Sequence, residues 1–175
     1  MSYPQLLFTP TCRSAPQWVA QLSGGFYMTA MTALTRRRSD NPHQENWDVY
    51  FSDIHVGTIG QRVGVPTSAD QWGWRVGFFP GMDPAAHCQG SAATFEEARA
   101  TFELAWQKLQ PTLSEAQFEE WRRSRDFHAW KNRMWAEKCR MPTQNQNGQS
   151  TCFCGAPISI GCEEHIHTVH RGIGA

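Results

Sequence analysis

The chain has no excess charge of either sign: its 175 residues hold 16 Lys and Arg against 16 Asp and Glu. A sequence pI near 7.0 excludes a histone-like or tail-like binder that works by bulk charge. Charged residues are few, at 18%, while aromatics reach 12%, which argues against disorder along the whole chain. No predominantly apolar run of roughly 20 residues, the length needed to span a bilayer, is present. The longest uncharged stretch, residues 14–35, is broken by Pro16, Gln17, Gln21, Gly24 and Gly25, so no membrane partner is expected. Leu6, Leu7 and Phe8 are too short a core for a secretory signal. That points to the cytoplasm, where thiols stay reduced and cysteines serve as metal ligands or core residues more often than as disulfides. The sequence also lacks a phosphate loop, a Ser-nucleophile elbow, a dinucleotide fingerprint and a paired-carboxylate pattern. No nucleotide cofactor is therefore expected.

What the chain does have is eight Trp, six Cys and seven His. Residues 1–45, with Pro4, Pro10, Pro16, Gly24-Gly25 and the cluster Arg36, Arg37, Arg38, read as a disordered leader. Met28 and Met31 offer alternative starts within it.

Residues 46–110 read as a β-β-β-α unit. Trp47, Val49 and Phe51 alternate with polar neighbours, a period of two, and Ser52-Asp53 marks a tight turn. Ile54 to Val63 forms the return strand. Trp72, Trp74, Val76 and Phe78 give the cleanest alternation in the chain, closed by Pro80-Gly81. A long loop then leads to Thr94, which forms a capping box with Glu97. Phe95, Ala98, Phe102, Ala105, Trp106 and Leu109 fall on one face of the helix that follows, and Pro111 stops it. The fold class expected is α+β: a small three-stranded antiparallel sheet with helices packed on one face, plus a zinc-stapled C-terminal tail. The pattern Trp47-x-Val49, Gly57-x-Ile59, Trp72-x-Trp74, Thr94-x-x-Glu97-Ala98 and Trp106 resembles that of small uncharacterised bacterial proteins. The resemblance covers about 65 residues and implies no activity.

Residues 111–139 form a long basic-aromatic helix opened by a second box, Thr112 with Glu115. It carries Arg122, Arg123, Arg125, Lys131 and Arg133, with Trp130 among them as a candidate for stacking on bases. These residues define nucleic-acid binding as the alternative function. A solvated charged face over core tryptophans is the plainer reading.

Residues 140–175 begin with a polar linker and end in a Cys/His tail. Zinc takes four thiolate or imidazole ligands in a tetrahedron, and two ligand pairs about ten residues apart deliver that from a short segment. Cys152-x-Cys154 with Gly155 supplies one pair and Cys162-x-x-His165 the other, for one zinc ion. His167, His170 and Cys139 are alternates. Cys154-Gly155-Ala156-Pro157 behind Cys152 resembles the knuckle of small zinc ribbons, Cys-x-x-Cys-Gly, with one residue in place of two between the cysteines. A segment this short needs such a staple to fold. The leading expectation is a non-enzymatic zinc-containing binding or adaptor protein acting on a protein partner. Nucleic acid is the alternative partner. A zinc-dependent hydrolase with Glu163 or Glu164 as general base is the third reading.

Overall fold

The computed structural model describes residues 33–41 and 43–175. It is an α+β protein with two compact units, Met1–Leu113 and Ser114–Ala175. The part of the leader before residue 33 lies outside the described residues.

The first unit holds a sheet of five strands, not three: β1 (Leu34–Arg38), β2 (Asn46–Phe51), β3 (Ile54–Gln61), β4 (Trp72–Val76) and β5 (Cys88–Ala92). They pair antiparallel in sequence order, each with its chain neighbour. Both added strands lie at edges, and both lack the apolar alternation that marks the inner three. In β1, a basic run in the segment read as leader, Arg36 stands over the rings of Trp47 and Phe95 at 5.6 and 5.3 Å. Arg37, on the other face, stands 4.6 Å from the ring of Tyr50. Cation–π contacts thus give a charged edge strand its hold, and the charges protect the edge from pairing with other chains. In β5 the key residue is Gly90: a Cβ there would lie 2.7 Å from Cζ2 of Trp74, so the cross-strand indole needs its bare backbone.

A register shift between Val49 and Tyr50 pairs Val49 with Gly57 and Tyr50 with His55, leaving Val56 as an extra residue. Cross-strand rows then sort the faces. Arg38, Trp47, Ile59, Trp74 and Gly90 form one row, and Arg37, Asp48, Thr58, Arg75 and Gln89 the row on the opposite face.

Helix α1 (Phe95–Leu109) covers the apolar face. Its capping box is formed as the sequence implies, Thr94 Oγ1 accepting from Glu97 N–H and Glu97 Oε2 from Thr94 N–H, both at 3.3 Å. Ala98, Phe102, Trp106 and Leu109 are buried with Val49, Val56, Ile59, Trp74 and Val76. A fully buried side chain the size of Phe102 contributes about 2–3 kcal/mol. Among the described residues of this unit α1 is the α-helix on the sheet; α2 and α3 belong to the second unit.

The second unit opens with α2 (Glu115–Ala136). The cap is Ser114, with its N–H donating to Gln117 Oε1 at 2.8 Å, rather than Thr112. Thr112 instead donates its hydroxyl to Leu109 O at 2.7 Å, inside a 3-10 turn that ends the first unit. A hairpin of β6 (Gln149–Thr151) and β7 (Pro157–Ser159) follows, then the short α3 (Glu163–Val169). Trp130, Met134, Cys152, Ile158 and Ile166 form a small core of their own.

Among the described residues no helix is long and apolar enough to cross a membrane.

Candidate metal centre

Cys152 lies at the end of β6 and starts a tight turn. Gly155 N–H donates to Cys152 O, and Cys152 N–H donates to Ala156 O, both at 2.8 Å. Gly155 takes φ +88°, a left-handed value open to glycine at no steric cost. The turn brings Cys152 and Cys154 to one end of the hairpin. On the other side, α3 carries His165 in its first half, and His170 follows as its C-cap with φ −114° and ψ 20°. Five residues apart on an ideal helix would place these two side chains about 140° apart. Because His170 has left helical geometry, its ring comes back to 5.0 Å from that of His165.

Ligand atoms of Cys152, Cys154, His165 and His170 all lie within 4.8 Å of one another. Cys152 Sγ is 3.3 Å from His170 Nε2, and Cys154 Sγ is 3.6 Å from His165 Nε2. In a tetrahedron with Zn–S of about 2.3 Å and Zn–N of about 2.05 Å, a sulfur–nitrogen edge is about 3.6 Å. The four side chains are therefore close enough to hold a metal ion with a modest contraction.

Cys152 is buried, while Cys154 is exposed and the two imidazoles are half-buried. Burial pushes the Cys152 thiol up, with a smaller push from the neighbouring Cys154 thiol; the Cys154 backbone N–H and the Trp130 indole, which donates to Cys152 Sγ at 3.3 Å, pull the other way. His170 is pushed down by burial and by the adjacent His165. The ring of Phe153 packs 4.5 Å from that of His170, tilted by 44°.

Three of the four residues taken from spacing, Cys152, Cys154 and His165, are brought together, and the alternate His170 joins them. Cys162 does not. It stands at the N-cap of α3 and packs, half-buried, against the Trp130 cluster, where burial raises its thiol pKa. Cys139 packs against the same cluster. His167 is outside the four-residue group, as are Glu163 and Glu164, both exposed in the first turn of α3.

The basic residues of α2 are largely neutralised in place. Arg122 meets Glu115 at 2.7 Å, Arg125 meets Asp126 at 3.1 Å and Arg133 meets Glu137 at 2.8 Å. Arg123 is 4.0 Å from Glu119, and Lys131 is exposed. Trp130 is fully buried, so its ring has no face free for a base.

One residue that matters escaped the sequence reading. Asp126 is buried, and its carboxylate accepts from Gly172 N–H at 2.6 Å and Gly174 N–H at 3.3 Å. It thereby anchors the segment after α3 onto α2, with Arg125 as its cation. An acid beside an arginine on a basic helix gives no sequence signal of this. Asp126→Ala is expected to destabilise the unit by about 3 kcal/mol, since it removes a buried carboxylate that pairs with Arg125 and leaves two backbone donors without their acceptor. Faster hydrogen exchange at Gly172 and Gly174, with a lowered unfolding midpoint, would show it.

Compared with known proteins, the chain matches no family model, no curated protein and no solved structure.

Proposed function

We propose that the chain is a non-enzymatic zinc-containing binding protein, an adaptor acting through protein–protein contacts. One zinc ion on Cys152, Cys154, His165 and His170 fixes its second unit. The observation that carries this is the four-residue cluster. Two thiolates and two imidazoles are a donor set zinc prefers, and a cysteine pair followed by a histidine pair is the ligand order of Cys2His2 structural sites. Four protein ligands fill a tetrahedron and leave no position for the water a zinc hydrolase must activate. A structural site of this kind supplies folding energy and a rigid surface.

Protein is favoured over nucleic acid as partner by charge and burial. The arginines of α2 are held by its own acids, Trp130 is buried, and α3 begins with Glu163 and Glu164, which would repel phosphate.

The test has two parts. Untagged protein should contain about one zinc per chain by plasma mass spectrometry, and Cys152→Ser with His170→Ala should contain none. Affinity purification after nuclease digestion should then retain a protein partner that the zinc-free variant loses. Salt-sensitive binding to DNA or RNA, with the partner released by nuclease, would return the nucleic-acid reading. A metal with an exchangeable water would return the hydrolase.

A further inference from the structure

The last turn of α2 and the residues after it form an open surface cavity of about 550 Å³ lined by Trp135, Ala136, Lys138, Cys139, Arg140 and Gln144. Trp135 is 83% exposed, the highest value among the exposed large hydrophobic side chains described. An indole left this open adds little to the stability of its own unit, whereas Trp leads the residue types that anchor interfaces.

The charged residues that line the cavity, Lys138 and Arg140, are of one sign. Lys131 precedes Trp135 by four residues on α2, so it falls on the same side of the helix, and Lys138, just past the helix end, lines the cavity itself. Arg140 lines the same cavity. Glu137, the acid nearest in sequence, is held by Arg133 at 2.8 Å. Lys131, Lys138 and Arg140 have no acidic partner among the described residues, in contrast to the paired arginines earlier in α2. Lys138 also adopts φ +57° just past the helix end, a position where glycine costs less by about 1 kcal/mol.

We infer that this cavity receives an acidic protein segment carrying one apolar anchor. The inference rests on the protein-contact reading above and specifies the partner's chemistry. The anchor side chain packs on Trp135 beside Ala136 and Cys139, and flanking carboxylates pair with Lys131, Lys138 and Arg140. The volume suits one large side chain with its neighbours. A single-stranded nucleic acid is disfavoured because it needs successive stacking rings along a basic groove. Trp135 is the one exposed large aromatic of this unit among the described residues.

The test is selection of random dodecapeptides on phage against the zinc-loaded full chain, then titration of the best synthetic peptide by fluorescence anisotropy. The selected sequences should share one aromatic or aliphatic residue flanked by Asp and Glu. Trp135→Ala should weaken the peptide by at least about tenfold. Lys138→Glu with Arg140→Glu should abolish its binding and favour basic peptides instead. Zinc content equal to the parent's establishes that both variants are folded. Selected sequences without acidic character, or equal affinity for parent and Trp135→Ala, would overturn the inference. So would oligothymidylate binding more tightly than the peptide and depending on Trp135. Should the nuclease-resistant partner be retained by both variants yet lost without zinc, the cavity assignment fails and the adaptor reading stands.

Discussion

Cys152→Ser, or EDTA at neutral pH, is expected to open residues 149–175 of the full chain to protease and hydrogen exchange while strands β2 to β4 stay protected. The asymmetry follows from where the cores lie. The sheet unit buries two Trp, Phe102 and a row of aliphatic residues without help from a metal. The second unit relies on a cluster of five buried residues, of which Cys152 is itself a ligand candidate. A core that small does not fold a hairpin and a seven-residue helix unaided. Structural zinc contributes about 10–16 kcal/mol of apparent binding free energy in comparable small modules, which exceeds the whole stability of many domains.

Acid should act as EDTA does. Burial raises the Cys152 thiol pKa, so at neutral pH metal-free Cys152 is the thiol, and metal capture must expel its proton. With two thiols ligating, apparent affinity should rise by about two decades per pH unit below the thiol range and level off above it. His170, pushed below the ordinary imidazole value, is free of its proton over a wider range and competes less. Zinc release into a chromogenic chelator, followed across a pH series, checks the slope. A flat profile through the neutral range would exclude thiolate ligation.

Trp130→Ala is expected to destabilise the second unit by about 3–5 kcal/mol even with zinc in excess, the cost of a cavity under a fully buried indole. Trp130→Phe separates packing from chemistry. It keeps much of the ring volume but removes the N–H that donates to Cys152 Sγ at 3.3 Å. That bond favours the thiolate, so zinc affinity should fall by about tenfold, in the range typical of groups that orient ligands. Competition with a chelator of known affinity reads the second effect, and chemical denaturation at saturating zinc reads the first. Unchanged zinc affinity in Trp130→Phe would mean the indole serves packing alone.

These expectations depend on residues that were unequally legible in the sequence. Strands β2, β3 and β4 announce themselves because each alternates apolar and polar residues around a buried face, and α1 because a capping box precedes a helical stripe. β1 and β5 were invisible for the same physical reason. An edge strand needs no second buried face, and theirs are held by arginine–aromatic contacts and by a glycine under Trp74, which no periodicity reveals. The cysteine pair could be read from its spacing and its glycine. The choice of His170 over Cys162 could not, because it turns on where α3 stops: Cys162 belongs to the helix start and faces the Trp130 cluster, and His170 swings in only by leaving the helix. Trp130 illustrates the converse. Its place among basic residues allows a ring that stacks on bases, but the plainer reading, a core tryptophan beneath a solvated charged face, is the one its burial with Met134 matches.

The strictly sequential pairing of the five strands bears on the order in which the chain acquires structure. Every pairing joins neighbours along the chain, so loop closures are short and the contact order of the sheet is low, the condition for rapid folding. During synthesis at about 5–20 residues per second, residues 152–170 emerge several seconds after Leu109. The nascent sheet unit can settle in that interval before the first cysteine of the cluster has left the ribosome. A shortage of zinc during translation would then leave the first half of the protein folded and the second waiting, a half-finished chain rescued by the later arrival of one ion.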